Sequence, residues 1–333
     1  MNRLRFIAKR LLAAAVIVIF LIAAMFLLEH MSKLDPAHAY LGAGASSQAV
    51  AAERIKLGLN RPILVQFVDY LGHVLTGNFG ISYRTRNPVF SDIKEYLPNT
   101  IELAVFSLIL AVLLGLLLGL ASTLKIRGFR LIQFILISGA STPVFLLAYL
   151  GILIFYAKLH ILPASGMTSY QSYPTGPTGM LLVDSLLHLD FSLFFNSLQY
   201  IILPGLSLAI VPALSIGRVL RGSLLTTMRQ DFIRTARSKG LNESRVFLRH
   251  ALRNSIGPAL SMIGLQAGLL LASDVVVEQI FSWPGVGYYI AQSIPVGDFP
   301  AISGVTIFFG IFYVLINTLV DIGQQLADPR IRT

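Results

Sequence analysis

The chain has 333 residues, 55% of them hydrophobic and only 13% charged, with a formal net charge of +10 and a mean hydropathy of +0.73. That balance suits a lipid-embedded protein better than a water-soluble core. A nucleic-acid-binding domain is disfavoured because the positive charge sits between long apolar runs and not on one dense basic face, and the lack of cysteine excludes disulfides, thiolate metal sites and a cysteine nucleophile.

A helix that crosses the hydrocarbon needs roughly 20 mostly apolar residues, and six runs qualify: about 9–30, 99–124, 130–157, 200–228, 257–280 and 301–326. The expected fold is an all-α membrane protein with six transmembrane helices. The first run follows the basic segment MNRLRFIAKR and resembles a signal peptide, with Ala37-His38-Ala39 imitating a cleavage site. It is longer than a usual signal core and Ala39 lies well beyond its end, so residues 1–30 read as an N-terminus and a retained first span. In the segment 31–98, AVAAERIKLGL and PILVQFVDYLGHVL have helical apolar spacing and GNFGISYRTRNP reads as turns. A small ordered external cap between spans 1 and 2 is expected there.

Spans 2 to 6 form the expected core, 99–326. In span 2, Gly115 and Gly119 share a helix face that lets a neighbour approach closely, as Gly264 and Gly268 do in span 5. Pro143, Pro204 and Pro212 are expected to bend or locally unwind spans 3 and 4. Basic residues mark one side of the membrane: Arg3, Arg5, Lys9 and Arg10 before span 1, then Lys125, Arg127 and Arg130 between spans 2 and 3. The loop around 218–253 adds nine more Arg and Lys residues, and Arg330 and Arg332 lie in the tail 327–333. The loops 159–199 and 281–300 contain no Lys or Arg. The positive-inside rule places both termini and the basic loop in the cytoplasm.

No GxxxxGK[ST], HExxH or GxSxG motif occurs, so a nucleotide site, zinc protease or serine hydrolase has no support in the chain. Ser141 and Ser223 are isolated hydroxyls read as packing residues. Ionisable groups in lipid tend to face a pathway or a partner. Asp274 and Glu278 lie four apart on one face of the outer half of span 5 and are candidate pathway residues for a positively charged substrate group; the alternative is that Glu278 sits at the membrane surface and Asp274 is neutralised by a neighbour. Asn317 and Asp321 share a face of span 6 and read as a structural polar contact.

The basic loop is where the motifs become specific. RTARSKGLNESRVFLRHALRN, residues 234–254, preceded by GRVLRGSLLTTMRQDFI, resembles the EAA-type coupling loop of type I ABC importer permeases. It is most similar to the B-type subunit of the dipeptide/oligopeptide/nickel family. LGLNRPILVQF, GNFGIS, LPNTIELA, STPVF, VVVEQIFSWPGVG, DFP and LADPRIR continue the likeness in family order over nearly the whole chain. Arg234, Thr235 and Ala236 stand at the motif's opening and Gly240 at its glycine, with His250, Ala251 and Leu252 at later apolar positions. Arg253 replaces the general motif's terminal proline, as is usual in the peptide branch. Gly297 stands where the family often has Arg, and Asp274 where it more often has a small uncharged residue.

The resemblance implies a helix, a glycine turn and a second helix, together a cytoplasmic coupling loop over 230–256 that docks into a groove of an ATPase. Gly240 supplies backbone freedom, and Asp231 is placed to cap the first helix or favour its dipole. Val246, Phe247, Ala251 and Leu252 are candidates for the apolar contact, and Arg237, Lys239, Arg245 and Arg249 for steering to an acidic rim, the alternative being that these charges only fix topology and touch lipid headgroups. The implied activity is ATP-driven peptide uptake across a bacterial or archaeal plasma membrane. The implied partners are a second related permease in a heterodimer, two ABC ATPases that hold the ATP and Mg, an extracytoplasmic substrate-binding protein and membrane lipid. Nickel or another small solute is an alternative cargo; an ion-coupled secondary transporter and a membrane-bound enzyme are rival classes.

Overall fold

The computed structural model describes residues 3–32, 35–42, 44–123, 142–174 and 176–327, apart from the side chains of 3–11, 14, 122–123, 271–274, 316–317 and 319–327. The expected turn at Lys125, Arg127 and Arg130, the first part of span 3 with Ser141, and the tail arginines therefore lie outside the described residues. So do the side chains of Asp274, Asn317 and Asp321. The described residues are mostly helical, and their β structure is limited to an isolated antiparallel bridge between Ile81 and Pro88. Apolar chain in hydrocarbon must pair its own backbone groups, which a helix does within one segment.

The chain divides into two compact units. The first comprises residues 1–98 and 285–319. It contains α1 (Arg3–Met31), α2 (Pro36–Leu41), α3 (Ser47–Lys56), α4 (Ile63–Leu75) and the opening turns of α5 (Val89–Thr123). Its core joins Ile22 and Met25 of α1 to Val74 of α4, Val89 and Ile93 of α5, and Val305 and Ile307 near the C-terminus. The two helical patterns read between 47 and 75 are α3 and α4. Asp35 accepts a hydrogen bond from Ala37 N–H at the start of α2, and Ser46 accepts one from Ala49 N–H at the start of α3, each meeting an otherwise unpaired helix donor. The Ala-His-Ala triplet lies inside α2, with Ala37 fully buried.

The turn segment before α5 is held by two buried acids of the same unit. Asp92 accepts from Thr85 Oγ1 and Asn87 Nδ2. Asp298 accepts from Ser82 Oγ, Arg84 N–H and Ala301 N–H, the last bond closing the first turn of a C-terminal helix. Gly297 precedes it at φ +64°, a left-handed backbone that glycine adopts without steric cost.

The second unit comprises residues 99–284 and the stretch from 320. It contains the rest of α5, α6 (Val144–Gly151) with a wider π-helical continuation (Ile152–Lys158), α7 (Leu181–Leu187), α8 (Phe191–Thr227), α9 (Asp231–Ser238) and α10 (Arg253–Ile280). In the first unit, α11 (Val286–Ser293) and α12 (Phe299–Ala327) complete the order, α12 running on beyond it. Short helices α7 and α11 occupy stretches read as loops, and α5 and α8 begin about ten residues earlier than their apolar runs. Val89–Ala121 and Phe191–Thr227 are apolar and long enough to cross a membrane, and Ala15–Met31, Val144–Lys158 and Phe299–Leu315 are shorter apolar helical stretches.

The prolines behave differently from one another. Pro143 is the N-cap residue of α6, with φ −56° and ψ 142°, and its fixed φ suits that place; the part of span 3 that precedes it lies outside the described residues. Pro204 and Pro212 lie inside one continuous helix, both buried among the packed residues of α8. Gly115 and Gly119 do allow close packing. A Cβ at Gly115 would lie 2.9 Å from the Ala213 carbonyl oxygen and from Ile216, and one at Gly119 would lie 2.9 Å from Leu220. Gly217 answers from α8, where a Cβ would meet the Gly115 carbonyl at 3.0 Å.

Gly115→Val is therefore expected to destabilise the detergent-solubilised protein by about 1–3 kcal/mol through overpacking. Gly222→Ala, where an added Cβ meets nothing within 4 Å, is expected to leave the thermal midpoint unchanged or slightly raised. Equal melting of the two variants would remove the close-packing role of Gly115.

Candidate functional site

The basic stretch folds as two helical pieces around a glycine turn. α9 opens at Gln230, which has extended backbone and makes no side-chain cap. Asp231 sits in the first turn and not at the cap position, so its favourable effect is on the helix dipole. At the other end Gly240 N–H donates to Arg237 O at 2.9 Å and Leu241 N–H to Ala236 O at 3.4 Å. This pair of bonds is the Schellman arrangement, which needs a left-handed residue after the helix. Gly240 meets that need at φ +73°. Asn242 then accepts from Ser244 N–H at 3.1 Å and starts the single turn Glu243–Arg245. A π-helical segment, Val246–Leu252, leads without a break into α10.

Helical spacing sorts the side chains of this stretch onto two faces. Ile233 and Ala236, three apart on α9, are buried together with Val246, Phe247 and Ala251. They pack on Leu220 and Leu224 of α8, Ala259 of α10 and the partly buried Leu116 and Leu120 of α5. Leu241 and Leu252 are partly buried at the same cluster. Val246, Phe247 and Ala251 thus fix the stretch to its own unit and are not surface contacts. Ser255 adds a buried polar tether, its hydroxyl hydrogen-bonded with Thr227 Oγ1 and with the Ala251 carbonyl oxygen, both at 2.8 Å. The side turned outward carries Phe232, 43% exposed, and Leu248, 60% exposed, with Arg234, Thr235, Arg237, Lys239, Arg245 and Arg249 also exposed; His250 is half-buried.

Two of the arginines are engaged within the stretch. Arg237 grips Glu243 with two hydrogen bonds, Nε to Oε1 at 2.7 Å and Nη2 to Oε2 at 3.1 Å, closing the glycine turn. The bond from Arg237 holds the Glu243 carboxyl below its ordinary range, and the same bond raises the Arg237 guanidinium. Arg234 lies 3.5 Å from Asp231. Lys239, Arg245 and Arg249 have no acidic partner among the described residues.

The second predicted pair is only partly described. Glu278 is fully buried and accepts from Thr100 Oγ1 at 2.7 Å. Close by in sequence, Trp283 Nε1 donates to Asn99 O at 2.9 Å and Asn99 Nδ2 to Pro284 O at 2.7 Å, which ties the end of α10 to α5. Sequence reasoning passed over Phe232 and Leu248, although the i, i+3 spacing of Ile233 and Ala236 already turns Phe232 to the other face. It also passed over Glu102, an acid within the apolar run of α5.

Comparison with known proteins covers nearly the whole chain. A family described as "Binding-protein-dependent transport system inner membrane component" matches residues 93–333, and its N-terminal counterpart matches residues 3–104. The chain is 37% identical to the dipeptide transport system permease protein DppB of Alkalihalophilus pseudofirmus over 99% of both chains. It is 38% identical to the probable D,D-dipeptide transport system permease protein DdpB of Escherichia coli strain K12, covering 92% of this chain and 91% of that one. The glutathione transport system permease protein GsiC of Salmonella typhimurium is 34% identical over 99% of both. Among solved structures, an amino acid ABC transporter with histidines shares the fold at TM-score 0.50 and 14% identity, over 71% of this chain and 94% of that one.

The Arg237–Glu243 clamp gives a direct titration test. A carboxyl held below its ordinary value stabilises the turn above the unfolded pKa of about 4.3 and loses that contribution as pH falls through the lowered folded value. A carbon-13 titration of Glu243 is expected to show a midpoint below the ordinary one, restored by Arg237→Gln. An unchanged midpoint in that variant would show that the clamp is absent in solution.

Proposed function

The chain belongs to the family of binding-protein-dependent transport system inner-membrane components, and on that premise we propose how its geometry serves transport. It is a permease subunit of a peptide-importing ABC transporter. The observation that carries the mechanism is the two-faced stretch 231–252, buried on one side in its own unit and exposed, basic and partly apolar on the other. A chain without a phosphate-cradling loop receives its driving force from separate ATPase subunits, which hold ATP and Mg. Such force is useful only if the receiving element is rigidly joined to the transmembrane helices.

In this reading Phe232 and Leu248 make the apolar contact with the ATPase groove, while Lys239, Arg245 and Arg249 steer it to an acidic rim. Arg234, Thr235 and His250 flank that contact. Ala236, Gly240, Val246, Phe247 and Leu252 act from beneath: four hold the stretch to the helices and Gly240 sets the angle between its two pieces. ATPase closure then draws this loop toward its counterpart on a second, related permease, and the bundles rock as bodies to alternate access. The remaining proposed features are six membrane spans, cytoplasmic termini, an outward-facing cap over 31–98 and an extracytoplasmic binding protein that delivers cargo. The named relatives handle dipeptides, D,D-dipeptides and glutathione, which supports short peptides over nickel as cargo and an ABC importer over an ion-coupled carrier.

Gly240→Val is expected to abolish ATP-driven peptide uptake while membrane insertion persists. A β-branched residue is strained at φ +73° although space surrounds it, and Gly240→Ala, at a cost of about 1–2 kcal/mol, is expected to retain part of the activity. Normal uptake by the valine variant would remove the coupling role. Protease added to intact spheroplasts is expected to cut within 31–98 and to reach 230–256 only after lysis; the opposite pattern would invert the topology.

A further inference from the structure

The first unit contains a cleft of about 840 Å³ that the coupling mechanism does not use. The end of α1, parts of the stretch 53–73 and the turn at 78–83 line it, together with Pro300 and Ser303 of α12. The cleft opens to solvent, so a ligand enters without any helix moving, and its volume is that of a small-molecule site. Four acids, Glu29, Asp35, Glu53 and Asp69, share the lining with Arg54, Lys56 and Arg61. A lining of both signs matches a zwitterion, whose two ends need opposite partners, better than a lipid tail or a singly charged solute.

The charges are not spread evenly. Arg54 pairs with Asp35 at 3.3 Å, Lys56 with Glu53 at 3.3 Å and Arg61 with Asp69 at 3.0 Å. These three cations are 50%, 73% and 63% exposed, so their pairs are weak and exchange partners readily. Glu29 is the lining acid outside the three pairs, half-buried at the end of α1. Next to it His30 is tied to the wall, with Nδ1 2.9 Å from the Phe26 carbonyl oxygen and Nε2 3.1 Å from Gln66 Oε1. Two lining tyrosines lie in the field of Glu29. Burial, then Glu29, Asp298 and Asp35 hold the Tyr83 hydroxyl above its ordinary range. Burial also raises Tyr70, against the opposing bond to Ser303, and Glu29 adds to the rise. This corner is both aromatic and electronegative, the combination that recognises an ammonium group through a charge-assisted hydrogen bond and the faces of rings.

We propose that the cleft is a binding site for short peptides, in which Glu29 receives the terminal ammonium group beside the rings of Tyr70 and Tyr83 and the rim cations Arg54, Lys56 and Arg61 meet the carboxylate. The proposal rests on the peptide-import reading and on the outward placement of 31–98. It adds to them a holding site for cargo in the first unit, selective for a free amino terminus.

The test uses the complete transporter in nanodiscs without its binding protein, titrated calorimetrically with alanyl-alanine and with N-acetyl-alanyl-alanine, which keeps the carboxylate and lacks the ammonium. Wild type is expected to prefer the free peptide by on the order of 10-fold, and alanyl-alanine is expected to slow amide exchange at 78–84. Glu29→Gln is expected to remove the preference while still binding the acetylated peptide as wild type does, and Tyr83→Leu to reduce it. A preference in Glu29→Gln equal to that of wild type would overturn the proposal, as would equal weakening of both ligands, the mark of a structural role. Unchanged exchange at 78–84 in wild type overturns it without reference to any variant. Uptake of alanyl-alanine by the same complex with its binding protein in proteoliposomes separates the two readings. Uptake without a cleft preference sinks the holding site and leaves peptide import standing; no uptake by wild type sinks the import reading, and the holding site with it.

Discussion

The packing of Ile233, Ala236, Val246, Phe247 and Ala251 against α5, α8 and α10 is the contact on which the proposed machine depends. A surface loop joined only by its backbone would bend under load and leave the helices where they were. Interiors packed to crystal-like density transmit displacement because they have little volume in which to yield. The buried Ser255–Thr227 bond strengthens the same junction, since breaking it would leave polar groups without partners. Gly240 lies between the two anchored pieces, in open space, so its task is conformational and not a matter of packing.

That arrangement changes what the apolar residues of the basic stretch mean. The family resemblance implied a coupling element here, but could not say which of its apolar residues face inward. Helix periodicity gives relative faces, not the identity of the face that meets a neighbour. Val246, Phe247 and Ala251 were named for the apolar contact, yet they are buried against their own unit. The charge pattern was similarly ambiguous: Arg237 reads as a free cation until Glu243, six residues on, is found across the turn.

More of the fold was legible than of the site. The long apolar runs, the pair α3 and α4, and the close approach at Gly115 and Gly119 all follow from local pattern, because burial or side-chain size acts over a few neighbouring residues. The short helices α7 and α11 did not show in the same way. Seven and eight residues long, they are below the length at which an isolated helix is stable, so tertiary contacts decide their existence. For α7 one such contact is Glu102, 80 residues away in sequence.

The acids of α5 and α10 show why charge within an apolar run needs a structure to be interpreted. Asp274 and Glu278 drew attention through their i, i+4 spacing, which is a statement about one helix. What separates a structural acid from a binding one is whether its lone pairs are already filled by the rest of the chain. Glu278 uses an oxygen on Thr100 and stands beside the Trp283–Asn99 tie, so its burial is part of how α10 is fixed to α5. Glu102 is buried in the same way and accepts from Leu182 N–H at the start of α7, so an acid that reads as a break in the apolar run of α5 is part of how that short helix is fixed to it.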